Sequence, residues 1–141
     1  MTKTKDNVAW VGVDLDGTLA EYHGKIHNYC IGKPIPRMMR RVRRWLRQGF
    51  RVKIFTARAC WPSQTRLVRA WLRQHGLPDL EVTNRKDFCM LALWDDLCVQ
   101  VVKNTGERAD RLNKTKRTRM IKGVNNAERK TKSKPMHVGH S

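Results

Sequence analysis

Asp14 and Asp16 close an apolar run, residues 10–19 reading WVGVDLDGTL, with a single leucine between them. A second apolar run, LALWDD, ends on the adjacent pair Asp95 and Asp96. Thr56 closes a third, RVKIFT, and Lys86 lies in TNRKDF after a short fourth, EVT. Carboxylates gathered on one rim repel one another, and leaving them unpaired is costly, so the set implies a cation. A donor set made only of oxygens suits Mg²⁺ better than zinc, and Mg²⁺ held by carboxylates with open positions is the usual partner of a substrate phosphate. Beside it, one carboxylate can attack phosphorus, a second can carry the leaving group's proton, and a hydroxyl and an ammonium can hold the transferred oxygens.

The elements that must position these groups follow from the periodicity. Residues 8–13 read as a buried strand, and 20–36 as a loop whose part 20–33 is able to act as a small flap. Met38, Val42, Trp45 and Leu46 recur at helical spacing within 37–48, with arginines on the remaining faces and Gly49 as a stop. A strand is expected at 51–56. A second helix should start at Pro62, carry Leu67, Val68, Trp71 and Leu72 on one face, and end before Gly76. Short strands are expected at 81–83, 91–94 and 99–102. Strands alternating with helices predict an α/β fold with a parallel, doubly wound sheet. Ligands bind such sheets at the carboxyl ends of the strands, where Asp14, Asp16, Thr56, Asp95 and Asp96 all fall.

The four stretches, in this order, resemble the motifs of the haloacid dehalogenase superfamily of phosphohydrolases over about residues 8–106: DLDGTL at 14–19, IFTAR with Thr56, TNRKDF with Lys86, and LALWDD. The resemblance implies a Rossmann-like three-layer core without a substantial cap domain. It implies Asp14 as nucleophile and Mg²⁺ ligand, Asp16 as general acid and base with its backbone carbonyl on the metal, and Thr56 on the phosphoryl oxygen. Lys86 would neutralise nucleophile and phosphate, with Arg85 and Lys53 as competitors for that role. Asp95 and Asp96 would complete the metal site. Gly17, Thr18, Ala57 and Arg58 are the phosphate-binding candidates, Arg58 with the alternative of simply pairing with an acid. The chain also resembles small stand-alone phage members of the family, and LWDDLCVQVV is similar to the acid-pair region of polynucleotide 3′-phosphatase domains.

Charge adds a partner. The 141 residues carry 30 Lys and Arg against 12 Asp and Glu, a net +18. Such a chain attracts polyanions, nucleic acid first among them. Residues 1–106 form the expected catalytic core, and 107–141 a basic tail with few apolar residues. The Arg-rich helix 37–48 and this tail are the candidate nucleic-acid contacts, and Trp61 is the candidate for stacking on a base. The expected activity is Mg²⁺-dependent phosphomonoester hydrolysis of nucleotides or phosphorylated nucleic-acid ends. The alternative is a nucleic-acid-binding or interaction protein on the same fold with weak or no turnover. No signal peptide or membrane span is legible, so a cytoplasmic protein is expected, in host cytoplasm if phage-encoded. Cys30, Cys60, Cys89 and Cys98 match neither a zinc ribbon nor a disulfide framework and are expected as free thiols, with Cys89 and Cys98 filling the core.

Overall fold

The computed structural model describes residues 8–24 and 30–109. Seven elements follow in order: β1 (Trp10–Val13), α1 (Pro36–Arg47), β2 (Arg51–Phe55), a 3-10 turn (Ala57–Cys60), α2 (Pro62–Gln74), β3 (Glu81–Thr83) and β4 (Met90–Trp94). The four strands make one sheet in the order β3-β2-β1-β4, and every pairing is parallel. The fold is therefore α/β. The chain divides into two compact units, Met1–Cys98 and Val99–Ser141.

Local chemistry sets the helices. Pro36 and Pro62 stand in the first turns of α1 and α2, where the ring's fixed φ fits and its missing N–H is not needed. Gly49, at φ +83°, follows the end of α1 in the left-handed conformation that stops a helix and would strain any other side chain. Met38, Met39 and Val42 of α1 and Val68, Trp71 and Leu72 of α2 join one core with Val13, Val52 and Ile54 of the sheet. Both helices thus lie on the same sheet face. That is the consequence of two right-handed crossovers, β1-α1-β2 and β2-α2-β3, stepping in one direction.

The opposite face has no helix among the described residues. It carries Trp10, Gly12 and Lys53. From β3 the chain returns past two strands to β4 in only six residues, 84–89, half of what a helical crossover needs. The returning chain is anchored on this face: Asp87 accepts a hydrogen bond from Trp10 Nε1 at 2.8 Å and lies 3.7 Å from Lys53 Nζ. Lys53 also pairs with Glu81 at 3.3 Å and sits 4.4 Å over the Trp10 ring. These partners satisfy a nearly buried ammonium, and the Trp10 hydrogen bond holds the Asp87 carboxyl below its ordinary range.

Two expectations are corrected. Residues 99–102 are not a strand of the sheet; Val101 makes a single antiparallel bridge to Arg108, closed by Val102 N–H to Glu107 O at 2.7 Å. Cys98 is exposed and Cys89 half-buried, so neither fills the core; the described cysteines form no disulfide with one another. Trp94 is 38% exposed, its ring packed on Trp45 at 5.3 Å and covered by the Arg41 guanidinium at 4.5 Å. The tail, beyond residue 109, and part of the 20–36 loop, residues 25–29, lie outside the described residues. Among those described, no helix is long and apolar enough to cross a membrane.

Leu72 has no exposed surface and lies at the centre of the helix–sheet core. Leu72→Ala should cost about 2–5 kcal/mol, the range for a large-to-small change in a well-packed core. Urea unfolding should show it as a lowered midpoint at unchanged slope.

Candidate active site

Because the sheet is parallel, all four strands point their carboxyl ends at one edge. β1 and β4 are neighbours, with Val13 opposite Trp94 and the ladder extended by Asp14 N–H to Trp94 O at 2.8 Å. The residues that follow each strand are therefore juxtaposed. Carboxylate oxygens of Asp14, Asp95 and Asp96 all lie within 4.8 Å of one another. Thr18 Oγ1 stands between two of them, 3.4 Å from Asp14 Oδ2 and 3.4 Å from Asp96 Oδ1.

The turn after β1 makes this approach possible. Leu15 O accepts from the N–H groups of Thr18, Leu19 and Ala20, winding 15–20 tightly, while the side chains of Leu15 and Leu19 are fully buried as anchors. Gly17 sits at φ +91°, and a Cβ there would lie 2.5 Å from Asp96 Oδ2. Glycine is thus required twice, by the backbone conformation and by the close passage of Asp96.

Asp14 bears the cost of the crowding. Burial in the first place, then the charge of Asp95 and a hydrogen bond with Asp96, push its carboxyl up from 3.8 to about 7. No cationic side chain pairs with Asp14, Asp95 or Asp96 among the described residues. Three hard oxygen donors, mutually repelling and partly desolvated, fit a small divalent cation such as Mg²⁺.

Asp16 is handled differently. Its carboxylate takes a two-pronged ion pair from Arg58, Nε to Oδ2 at 2.7 Å and Nη2 to Oδ1 at 2.9 Å. The same guanidinium donates to Gln64 Oε1 at 2.7 Å and to Cys30 O at 3.1 Å. Hydrogen bonding to Asp16 outweighs the penalty of burial and raises Arg58 above its ordinary pKa. Asp16 is not a member of the side-chain cluster that could hold a cation.

Thr56 is buried at the end of β2, its N–H bound to Thr83 O at 2.9 Å. Its Oγ1 accepts from Arg58 N–H at 3.2 Å and so caps the 3-10 turn that carries Ala57 and Arg58. Ala57 is exposed on that turn. Lys86 is exposed on the β3–β4 return and forms no hydrogen bond or ion pair with a described residue. Lys53 is committed to Glu81, Asp87 and Trp10 on the helix-free face, and Arg85 is exposed. Trp61, 60% exposed, directly precedes α2.

The structure thus unites Asp14, Gly17, Thr18, Asp95 and Asp96, ties Asp16 to Arg58 and Thr56 to the Arg58 backbone, and shows Lys86 exposed on the β3–β4 return. Sequence reading missed Gln64, nearly buried and holding the far side of Arg58; a polar residue at the third position of an otherwise apolar helix face was the available signal. Comparison with known proteins returns no matching family model, no matching curated protein and no matching solved structure.

The acidic cluster has a measurable signature. The folded state keeps a proton on Asp14 up to about pH 7, whereas the unfolded chain releases it near 3.8. Native protein then binds the extra proton, so stability declines as pH rises through that window. In EDTA, the difference in Tm between wild type and Asp14→Asn should move against the wild type from pH 4 to pH 8. Mg²⁺ should raise the wild-type Tm more at pH 8 than at pH 5, because it binds the ionised cluster, and raise that of the variant little at either.

Proposed function

We propose that the chain is a Mg²⁺-dependent phosphomonoester hydrolase of the haloacid dehalogenase type, acting through an aspartyl-phosphate on nucleotides or phosphorylated nucleic-acid ends. The observation that carries this reading is the convergence of Asp14, Asp95 and Asp96 beside the Gly17–Thr18 turn. The four-stranded parallel order β3-β2-β1-β4, with the candidate nucleophile after the central strand β1, supports it. The three-layer, doubly wound core of that family belongs to the same proposal.

Asp14, Asp95 and Asp96 would hold Mg²⁺. When bound, the ion supplies positive charge that screens the carboxylates and polarises the phosphoryl group. Ionised Asp14 attacks phosphorus; the new bond to its carboxylate oxygen forms as the bond to the leaving oxygen breaks. Asp16 gives that oxygen a proton. Water then attacks the aspartyl-phosphate, Asp16 takes the proton back, and inorganic phosphate leaves with Asp14 regenerated. Thr56 donates its hydroxyl hydrogen to a phosphoryl oxygen, since its lone pair already serves Arg58 N–H. Arg58 is within reach of the same region and turns from Asp16 towards the substrate's charge, which leaves Asp16 able to meet the leaving oxygen.

The test is phosphate release from an aryl phosphate, 5′- and 3′-mononucleotides, and 5′- and 3′-phosphorylated oligonucleotides. Turnover should require Mg²⁺, and Asp14→Asn should reduce it by roughly 10³-fold or more. Arg58→Ala should raise KM about tenfold through removal of the charge-assisted hydrogen bonds. Lys86→Ala separates two versions of the site: a large loss gives the lysine the neutralising role, and a loss below about tenfold leaves that role to Arg58 and the cation. Absence of Mg²⁺-dependent release from every substrate would refute the hydrolase.

A further inference from the structure

Between Glu21 and Asp79 the sequence contains no acidic residue, yet it contains fourteen Lys and Arg. This interval includes the whole of α1 and α2. On α1, Arg37, Arg40, Arg44 and Arg47 are exposed and make no hydrogen bond, ion pair or ring contact with a described residue. On α2 the same holds for Arg66, Arg69 and Arg73. Because both helices pack on one sheet face through a common core, these guanidiniums share the outer surface of one layer. Arg43 fastens the two helices together, donating to His75 O at 2.8 Å.

A solvated helix usually intersperses both signs of charge, gaining from pairs three or four residues apart. Here the spacings 37/40, 40/44, 66/69 and 69/73 set arginine against arginine. Each such pair is repulsive. The layer is relieved by a counter-anion carrying many charges in a fixed array.

We propose that the α1–α2 layer is a docking surface for the phosphate backbone of double-stranded nucleic acid. This deepens the hydrolase reading by naming its substrate, a duplex with a phosphorylated end, and rests on that reading for the chemistry alone. Two observations choose a duplex over a single strand. First, neither helix carries an exposed ring among its arginines: Trp71 is buried, Trp45 is packed on Trp94, and the exposed Trp61 precedes α2 rather than lying within it. Single-strand binders depend on such rings, whereas a duplex offers only phosphates and groove edges. Second, the charges form two rows, one per helix. The row on α1, from Arg37 to Arg47, runs along about 15 Å of helix and that on α2, from Arg66 to Arg73, along about 10 Å. A charged area of this breadth suits the phosphates of two strands better than a single file. Binding through phosphates carries no base readout, so it is independent of sequence and steeply dependent on salt.

The experiment measures binding of a fluorescent 20-base-pair duplex and of its single strand to the full chain across a salt series. Arg40, Arg44, Arg66 and Arg69 are replaced together by Gln in one variant and by Lys in a second. For the Gln variant the duplex Kd should rise at least tenfold at 150 mM salt. The magnitude of the log–log salt slope should fall by about 0.9 for each phosphate that the variant no longer neutralises. The Lys variant should keep both within about twofold, since it preserves charge. Aryl-phosphate turnover should be equal in all three proteins, because none of the four arginines belongs to the site. An unchanged Kd and slope in the Gln variant would overturn the proposal. So would a single strand that binds as tightly as the duplex and loses affinity equally. If no protein hydrolyses any phosphate while the duplex result holds, the hydrolase reading fails and the docking surface stands.

Discussion

The register between β1 and β4 governs the site. Two parallel neighbours, with Val13 opposite Trp94, bring the residues after each strand to the same height on the same edge. Asp14 therefore meets Asp95 and Asp96 whether or not the encounter is favourable, and the electrostatics make it unfavourable without a cation. The neighbouring features accommodate this. Leu15 and Leu19 anchor the turn in the core, Gly17 gives Asp96 room to pass, and the Thr18 hydroxyl bridges the two strands' carboxylates. A different register would move Asp14 to another height relative to Asp95 and Asp96, and the buried side chains of β1 with it.

The two aspartates of the first motif end in opposite environments only two residues apart. Asp14 points to like charge; Asp16 points to a guanidinium fixed on three sides by carboxylate, amide and carbonyl oxygens. This division suits a reaction in which one carboxylate must be a nucleophile and the other must trade a proton, since environment rather than residue type separates such roles. It also places Arg58 at the junction of the loop after β1, the turn after β2 and the first turn of α2. On the proposed reading, a substrate phosphate that drew on Arg58 would be sensed by three segments at once.

Much of this was legible in the sequence because parallel α/β folds write themselves in simple signals. Pro36, Pro62 and Gly49 mark helix ends by local chemistry, and the apolar runs before Asp14, Thr56 and Asp95 mark strands. What stayed hidden depends on the third dimension. Periodicity cannot say that both helices lie on one face; that follows from the direction in which the crossovers step. The six-residue return to β4 was the available clue that no third helix intervenes, and counting it would have exposed the helix-free face. Val99, Val101 and Val102 carry strand-like side chains, but Asn104 and Gly106, both at positive φ, turn the chain back on itself. The pairing of Arg58 with Asp16 was one of two readings open to the residues, while the part played by Gln64 needed coordinates.

The distribution of charge gives the described molecule a polarity that neither its fold nor its net +18 explains. Carboxylates collect at the ends of strands, in the cluster on one edge and in Glu81 and Asp87 around Lys53. The helical layer has none. A protein needing only solubility would gain as much from mixed charges and would avoid the repulsion along α1 and α2. On the proposed reading, segregation instead sets an extended positive potential beside a site for a divalent cation, and the two fields would answer different parts of one polyanion. The layer would take the long-range, non-specific attraction of a backbone; the acidic pocket, with an ion bound, would take the dianionic terminal phosphate. Acids among the helices would weaken the first, and arginines among Asp14, Asp95 and Asp96 would compete with any cation for the second. Keeping the signs apart is the condition for using both.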